Sequence, residues 1–328
     1  MLLHAIDSLE RTFVRAAAIL LLLLPAHVAM AGELAIVLYP GYGTAQHFTI
    51  EGRVIEARHE TAEAAEDSYF TNLKRSARRL VNDEQANIKV RVAIDKHNWT
   101  ARSDQEGYFL IDVVGLNLAP GWHQVEASSG SVHAKGRMLL VPPQNNIGLI
   151  SDLDDTILIS EVVQKTKLLK NTFLKNYAQR KAVPGAAAVY TRFAQQSVQP
   201  EAAPIFYLSA SPRQLQTGIQ NFLDHNGFPP GVLITKKVTN DDSGEPLFDQ
   251  ARYKTAHIER LLNEYPSMRF VLIGDDGERD PEIYHEIQRR FPARVSQVLI
   301  RYVSPDPARK RFAEQREFTP TVAMEIHP

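Results

Sequence analysis

Two parts of the chain differ in how apolar and polar residues follow one another. From Leu34 to about Val141, apolar residues tend to alternate with polar ones, which is typical of strands with one buried face. The clearest alternation lies at residues 47–55, 88–94 and 123–127. Turn-forming residues separate these runs at 39–43, 103–107 and 119–121. We therefore expect a modest antiparallel β-sandwich in this part of the chain.

One stretch within this first part departs from the alternation. Over residues 61–82, Phe70, Leu73, Ala77 and Leu80 recur at nearly helical spacing, which predicts an amphipathic helix. The basic residues beside them are Lys74, Arg75, Arg78 and Arg79. The pattern suits either a solvated crossover helix packed on the sandwich or a helix lying on a lipid surface, and the sequence leaves both open.

Beyond residue 144 the pattern changes to short, continuous apolar runs. They lie at residues 147–150, 205–208, 232–234, 270–273 and 298–300. Such runs are typical of parallel strands, which are buried on both faces. Helical patterns alternate with them at residues 213–224, 254–264 and 281–290. This order predicts an α/β domain with a doubly wound parallel sheet over residues 144–328, preceded by the smaller sandwich over residues 32–143.

The amino-terminal segment, residues 1–31, differs from both parts. Arg11 and Arg15 precede an apolar stretch at 16–24, which leads to Ala29-Met30-Ala31. This pattern predicts a secretory signal peptide, and hence a periplasmic or secreted protein with no membrane span after cleavage. The alternative is an uncleaved anchor, but a spanning helix needs about 20 apolar residues and this stretch is shorter.

Composition narrows the classes of function. The chain of 328 residues is long enough for two domains, since one hydrophobic core rarely grows much past ~250 residues. Its formal net charge of -1 gives no sign of a nucleic-acid partner. It has no cysteine, so disulfides, thiolate catalysis and cysteine-bound zinc are excluded. Any chemistry must come from other side chains.

Three of the apolar runs lead directly into polar groups. These groups are Asp152–Thr156, Ser209–Ser211 and Gly274–Gly277. Ligands of such a sheet bind beyond the carboxyl ends of the strands, so we expect the three groups to lie near one another. Each group alone is more typical of a solvated loop or an incidental cation site. Together, with Lys254 between the second and the third, they predict one functional site.

The order of these groups resembles the four motifs of the haloacid dehalogenase superfamily, over about residues 147–302. More narrowly, the chain resembles the actin-patch phosphatidate phosphatase family. The segments that carry this narrower resemblance are residues 151–157, 171–174, 207–212 and 273–284. Residues 39–43 and 52–54 look like the β-domain that precedes the catalytic domain in bacterial relatives. The resemblance implies a haloacid dehalogenase-like second domain with Mg2+-dependent phosphatase activity.

By this resemblance, two carboxylates at positions n and n+2 carry the reaction. Asp152 would attack phosphorus to form an aspartyl-phosphate, and Asp154 would protonate the leaving group and then activate water. A carboxylate that meets a phosphate dianion needs a cation, and oxygen ligands suit Mg2+. Asp152, Asp275 and the main-chain carbonyl of Asp154 would bind the ion, together with Asp276. Asp280 is the alternative to Asp276, although it could equally just begin a helix.

The phosphate-binding residues that the resemblance implies are Ser209 and Lys254. Ser209 ends a predicted strand, and Ser211–Pro212 looks like the start of a helix whose free N–H groups would face the phosphate. Lys254 would neutralise the phosphate and hold the nucleophile in place. The rivals for this role are Lys236 and Lys237.

Three neighbouring residues are given supporting roles. Thr156 is expected to brace the acidic loop rather than to react, and Asp155 to act structurally. Arg213 could contact substrate or face solvent.

The substrate is the least defined part of the prediction. The resemblance implies phosphatidate or a related lipid phosphate, reached at a membrane surface. A soluble phosphomonoester is an alternative that keeps the same chemistry. Another alternative is a cell-envelope binding protein whose α/β domain is catalytically silent, although the presence of all five motif residues argues against silence. These are Asp152, Asp154, Ser209, Lys254 and Asp275.

Overall fold

A computed structural model describes residues 33–57, 67–68, 84–159, 176–239, 245, 249–322 and 324. The predicted signal peptide, residues 1–31, lies outside the described residues, and so does nearly all of the predicted amphipathic helix at 61–82. Among the residues that are described, no helix is long and apolar enough to cross a membrane.

Eight strands between Leu34 and Leu140 form the first sheet. They are β1 (Leu34–Leu38), β2 (Gly41–Gly43), β3 (His47–Glu56), β4 (Lys89–Ile94), β5 (His97–Arg102), β6 (Tyr108–Val114), β7 (Gly121–Ser129) and β8 (Val132–Leu140). They pair in the order β1-β3-β2-β8-β7-β4-β5, and β6 pairs with β3. β2 and β8 are parallel, whereas the other pairs are antiparallel.

The predicted turn at residues 39–43 is wrong in part, because Gly41–Gly43 is a strand. Its backbone pairs with β3 on one side and with β8 on the other. Glycine is required for this close approach, since a β-carbon at Gly43 would lie 2.3 Å from the carbonyl oxygen of His47. A segment rich in glycine therefore serves here as a strand between two others.

The inward-facing residues of the first sheet share one core. Phe48 of β3, Val92 of β4 and Met138 of β8 are buried in it together. The rings of Phe48 and Trp99 meet edge-on with centroids 6.3 Å apart, although β3 and β5 lie far apart in the strand order. The sheet therefore curls over its own apolar face. The layers that we predicted as a β-sandwich belong to one continuous, mainly antiparallel sheet.

The second sheet consists of six parallel strands. They are β9 (Ile147–Ser151), β10 (Ile205–Pro212), β11 (Val232–Lys236), β12 (Arg269–Asp275), β13 (Val295–Arg301) and β14 (Arg316–Glu317), in the order β11-β10-β9-β12-β13-β14. The five continuous apolar runs are thus confirmed as parallel strands. β14 was not predicted, since two exposed, charged residues carry no strand pattern.

Among the described residues, four α-helices cover this sheet. They are α1 (Ala186–Gln195), α2 (Gln216–His225), α3 (Gln250–Glu264) and α4 (Asp280–Arg290). The first two pack with Leu149 and Tyr207 on one face, and the last two pack with Ile150 and Phe206 on the other. This arrangement confirms the α/β class. α1 was not predicted, although its buried residues Val189, Tyr190 and Phe193 recur at helical spacing.

The first sheet packs against the second through polar and aromatic contacts. The rings of Tyr42 and Phe206 meet edge-on at 5.7 Å between centroids, and the hydroxyl of Tyr265 donates to the carbonyl of Gly43 at 3.3 Å. Nearer the carboxyl edge of the second sheet, Arg213 Nη1 lies 2.7 Å from Glu51 Oε1. The first sheet therefore stands beside the end of β10, close to the predicted site.

Candidate functional site

The acidic group Asp152–Thr156 lies where two central strands of the second sheet end. β9 ends at Ser151 and β12 at Asp275, and these strands are parallel neighbours. The backbone N–H of Asp152 donates to the carbonyl of Ile273 at 2.9 Å, which extends the pairing by one residue. β10, the next strand along the chain, lies on one side of β9, and β12 lies on the other side, so the strand order reverses at β9. Open α/β sheets bind ligands at such a reversal of strand order.

Three buried aspartates meet at this point. Asp152, Asp275 and Asp280 each offer one carboxylate oxygen, and these oxygens all lie within 4.8 Å of one another. Asp280 is the first residue of α4, and its Oδ2 accepts a hydrogen bond from the backbone N–H of Asp275 at 3.4 Å. The hydroxyl of Thr156 lies 3.2 Å from Asp152 Oδ2 and 3.3 Å from Asp275 Oδ2. Thr156 therefore braces two of the three carboxylates.

Lys254 brings positive charge to the aspartates. It lies in α3, one turn before the buried residue Ile258, so its side chain points toward the sheet. Its Nζ lies 2.8 Å from Asp152 Oδ1, 2.6 Å from Asp280 Oδ1 and 3.3 Å from Glu278 Oε2. The lysine that the resemblance singled out thus contacts the predicted nucleophile directly.

Negative charge exceeds positive charge in this group. Burial raises the pKa of Asp152 and Asp275 well above the ordinary value; Lys254 opposes the shift, and the neighbouring carboxylates of Glu278 and Asp280 add to it. Burial by itself lowers the pKa of Lys254, but the carboxylates around it outweigh that effect and hold this pKa well above its usual range. Buried carboxylate oxygens with uncompensated charge suit a divalent cation. The three aspartates could therefore hold a metal ion.

Asp276 occupies a different position from its neighbour Asp275. Its Oδ1 accepts hydrogen bonds from the backbone N–H groups of Val303 at 2.5 Å and Ser304 at 2.7 Å. The carboxylate thereby ties the segment after β13 to the acidic loop. Of the two predicted alternatives, Asp280 is the one that joins Asp152 and Asp275. A metal-binding role for Asp276 stays a prediction.

The chain turns sharply after Asp152. Asp155 has a φ of 57°, in the left-handed region that short polar residues adopt more readily than most others. Its carbonyl accepts a hydrogen bond from Arg301 Nη1 at 2.5 Å. Burial raises the pKa of Asp154 to about 6, and the charge of Glu278 adds to this shift. A carboxyl group with such a pKa can both donate and accept a proton near neutral pH.

Ser209 lies one strand away, near the carboxyl end of β10. Its Oγ accepts a hydrogen bond from the backbone N–H of Ser211 at 3.1 Å, and its carbonyl accepts one from the hydroxyl of Tyr253 at 3.0 Å. The helix start predicted at Ser211–Pro212 is wrong, because β10 continues to Pro212 and α2 begins only at Gln216 after one 3-10 turn. Pairing with β11 holds this segment extended.

The remaining basic candidates occupy distinct places. Lys236 is the last residue of β11, and its Nζ lies 4.9 Å from the ring centroid of Tyr253. Lys237 faces the first sheet, with its Nζ 4.3 Å from the ring centroid of Tyr108. Arg213 does not face solvent: it packs against the first sheet, and its Nε donates to a main-chain carbonyl of β11 at 3.2 Å.

Three residues of the site escaped the sequence analysis. Glu278 contacts Lys254, and Tyr253 contacts Ser209. Arg309 donates to the carbonyls of Asp276 at 2.8 Å and Glu278 at 2.7 Å, and it also pairs with the carboxylate of Glu282. Glu278 lies inside the Gly274–Glu282 segment and could have been suspected, whereas Arg309 follows in a stretch without periodicity.

Residues 147–302 match the sequence profile described as phosphatidate phosphatase APP1, catalytic domain. They belong to this family. The APP1 catalytic-domain match begins with β9 and ends just after β13. It therefore includes the three aspartates and Lys254, but not Arg309 or the first sheet.

Two curated relatives show the extent of this similarity. Phosphatidate phosphatase APP1 of Saccharomyces cerevisiae is 30% identical over 159 residues, which cover 48% of this chain and 26% of the relative. An uncharacterized protein of Schizosaccharomyces pombe is 26% identical over 247 residues, which cover 70% of this chain and 40% of the relative. The chain thus spans less than half the length of either relative.

Among solved structures, a carbohydrate acetylesterase from Xanthomonas citri aligns with a TM-score of 0.32 and 11% identity. The alignment covers 83% of this chain and 68% of that chain. A TM-score this low does not establish a shared fold.

Proposed function

We propose that this chain is an Mg2+-dependent phosphatase that hydrolyses phosphomonoesters through an aspartyl-phosphate, with phosphatidate or a related lipid phosphate as its substrate. The observation that carries the proposal is the buried contact between Lys254 and Asp152, beside Asp275 and Asp280. These residues lie in a domain of the APP1 catalytic-domain family. The lipid part of the proposal rests on that family alone.

In the first step, a carboxylate oxygen of Asp152 attacks phosphorus and the bond from phosphorus to the ester oxygen breaks. Lys254, 2.8 Å from Asp152 Oδ1, favours the ionised carboxylate that attacks. Asp154 gives its proton to the departing oxygen. In the second step Asp154 takes a proton from water, and the water oxygen attacks the phosphorus of the aspartyl-phosphate. The bond from phosphorus to the Asp152 oxygen breaks, which releases phosphate and restores the carboxylate. The pKa of about 6 at Asp154 supports both proton transfers.

The donor set supports Mg2+ as the cation. Asp152, Asp275 and Asp280 would hold it, and the predicted main-chain carbonyl of Asp154 and the carboxylate of Asp276 remain further candidates. When bound, Mg2+ would offset the repulsion between the nucleophile and a phosphate dianion. Thr156 keeps two of these carboxylates in place by its hydroxyl contacts.

The fold supports the proposal as well. A parallel sheet with helices on both faces and β9 at the reversal of strand order is compatible with a doubly wound, haloacid dehalogenase-like domain. Ser209, at the end of the neighbouring strand β10, would then bind a phosphate oxygen through its hydroxyl. The composition of residues 1–31 supports export to the periplasm or beyond the cell.

Two alternatives differ in substrate or in class. A soluble phosphomonoester would use the same residues and the same two steps. A silent cell-envelope binding protein would use the first sheet to engage its partner and would release no phosphate. The contact between Lys254 and Asp152 favours an enzyme. Burying this ion pair costs desolvation free energy, and a binding module that uses only the first sheet gains nothing from it.

The test is phosphate release from phosphatidate vesicles and from soluble p-nitrophenyl phosphate, each with Mg2+ and with EDTA. Asp152→Asn should lower the rate by about three orders of magnitude or more. Asp155→Asn is the matched control, because asparagine tolerates the left-handed φ of this position, and it should stay near the wild-type rate.

Each outcome separates the alternatives. Release from vesicles at a higher kcat/KM than from the soluble ester supports the lipid substrate. Release from the soluble ester alone favours a soluble phosphomonoester as the substrate. If the wild type hydrolyses neither compound, or if Asp152→Asn retains the full rate, the proposed mechanism is wrong.

A further inference from the structure

Strand β10 is irregular directly after Ser209. Ser209 pairs with Thr235 of β11, and the next residue of β10 that pairs with β11 is Pro212. Ala210 and Ser211 therefore form a bulge, a feature that re-aims side chains beside active sites. The backbone N–H of Ser211 donates to Ser209 Oγ at 3.1 Å. The hydroxyl oxygen of Ser209 is the acceptor of this bond, so its hydrogen can still be donated to a phosphate oxygen.

The bulge lies at the edge of the sheet where the aspartates meet. Tyr207 of β10 pairs with Ser151 of β9, the residue that precedes Asp152. Ser209 lies two residues beyond Tyr207, past the end of this pairing. The hydroxyl of Tyr253, beside Lys254 in α3, donates to the carbonyl of Ser209 at 3.0 Å. The placement of Ser209 beside the site thus depends on how the bulge is held.

Arg213 follows the bulge and closes it. Its Nε donates to the carbonyl of Thr235 at 3.2 Å, and Thr235 is the residue that pairs with Ser209. The side chain of Arg213 therefore reaches back to the level at which the bulge begins. The guanidinium is planar and carries its N–H donors in a fixed fork, so whatever holds its plane also holds the contact with Thr235.

Three side chains from the first sheet and its β1–β2 connection hold this guanidinium. Glu51 Oε1, in β3, lies 2.7 Å from Arg213 Nη1. The ring centroids of Tyr39 and Tyr108 lie 4.9 Å and 5.8 Å from Arg213 Cζ, and the two rings stack with centroids 6.1 Å apart. The backbone N–H of Tyr39 donates to the carbonyl of Glu51 at 3.0 Å. A carboxylate and aromatic rings together fix both the charge and the plane of a guanidinium.

We infer that Glu51 is a positioning residue for phosphate binding: through Arg213 it holds the bulge that carries Ser209. The inference rests on the proposed phosphatase function and gives the first sheet a part in it, since that sheet then completes the phosphate site of the second. Glu51 contacts no reacting atom in this role. Its effect should therefore pass through Arg213 and appear in the affinity for phosphate.

The experiment measures KM and kcat for p-nitrophenyl phosphate, and binding of inorganic phosphate to the full chain by calorimetry in the presence of Mg2+. Glu51→Gln keeps the shape of the side chain and removes its charge. It should raise KM and weaken phosphate binding by about 3- to 30-fold, with kcat nearly unchanged. A purely structural role would give a different result, because a smaller amount of folded protein lowers the apparent kcat and leaves KM as it was.

The matched control is Glu264→Gln. Glu264 also joins the two sheets, since its Oε1 lies 3.2 Å from Nδ1 of His47 in β3. It is the last residue of α3, about 15 Å along the helix from Lys254 at ~1.5 Å per residue, and hence far from the bulge. Its variant should keep KM and phosphate affinity within about twofold of the wild type.

Arg213→Met and the double variant with Glu51→Gln test whether Glu51 acts through Arg213. Arg213→Met should raise KM, and the double variant should be no worse than Arg213→Met alone. This variant also keeps the test decisive if Glu51→Gln does not fold. Glu51 is 29% exposed, so water can solvate its carboxylate once the arginine is gone.

Several results would overturn the inference: an unchanged KM in Glu51→Gln or in Arg213→Met, an equal rise in Glu264→Gln, or additive losses in the double variant. A fall in KM in Glu51→Gln would also overturn it, because the released Arg213 would then bind substrate itself. The proposed function fails separately. A wild type that hydrolyses no ester but binds phosphate, more weakly after Glu51→Gln, refutes the phosphatase and leaves the role of Glu51 standing. A wild type that neither binds phosphate nor hydrolyses the ester overturns both.

Discussion

Replacing Lys254 with methionine tests whether the buried charges depend on one another. Methionine has a similar length, so the change removes the ammonium without leaving a large cavity. It removes the ammonium that lies 2.6 to 3.3 Å from carboxylate oxygens of Asp280, Asp152 and Glu278. Removing one partner of a buried ion pair costs about 3–5 kcal/mol. We expect a loss of unfolding free energy in that range.

The assay is urea unfolding in EDTA, followed by two signals. Both tryptophans, Trp99 and Trp122, lie in the first sheet, so their fluorescence reports on that part. Far-ultraviolet circular dichroism reports mainly on the helices of the second part. The loss should appear in the helical signal first. A second replacement, Asp280→Asn, should recover part of the loss in the Lys254→Met background but not in the wild type.

The pH dependence of this loss has a definite sign. The pKa values of Asp152, Asp275 and Asp280 are raised by burial, so the folded state binds protons more readily than the unfolded state. Without Lys254 the shift grows, and lowering the pH from about 7 to about 5 should shrink the difference between variant and wild type. A loss below about 1 kcal/mol at neutral pH, or a loss that grows on acidification, would contradict the reasoning.

Three further predictions follow from other contacts. Mg2+ should raise the thermal midpoint of the wild type but not of Asp275→Asn in scanning calorimetry; an equal rise in both would exclude Asp275 as a ligand. Arg309→Ala should weaken Mg2+ binding in calorimetry more than Lys310→Ala does, because Arg309 holds the acidic loop by two carbonyls; equal affinities would rule that out. Phe206→Ala should cost about 3–5 kcal/mol in urea unfolding, since this ring is buried between the two sheets; a cost under 1 kcal/mol would show that Tyr42 refills the space.

Alternating apolar residues predicted β3, β4 and β7, and continuous apolar runs predicted β9 to β13. These local patterns failed where a tertiary contact sets the conformation. Pro40, Gly41 and Gly43 together predict a turn, yet Gly41–Gly43 pairs with β3 and β8 and is a strand. Ser211–Pro212 reads as a helix start, yet pairing with β11 keeps it extended. In both places one backbone partner lies far along the chain, β8 in the first and β11 in the second, and a local pattern cannot show such a partner.

For the candidate site, too, the sequence predicted some features and tertiary contacts set the others. The order of Asp152, Asp154, Ser209, Lys254 and Asp275 along the chain carries the family resemblance from which we assigned their roles, and these roles stay predictions. The sequence left Asp276 and Asp280 as alternatives, since both are acidic and close in sequence. The first turn of α4 brings Asp280 to Asp152 and Asp275, while Asp276 accepts hydrogen bonds from the backbone after β13.

By itself, then, the sequence determined the two kinds of sheet, the place of Asp152, Asp275 and Lys254 in one site and the family of residues 147–302, because all of these depend on residue type and spacing. Only the tertiary structure decided which carboxylates share a lysine, where the lysine at the end of β11 points, and that the first sheet stands beside the site. These depend on how strands and helices pack, and packing brings together residues that no spacing along the chain relates.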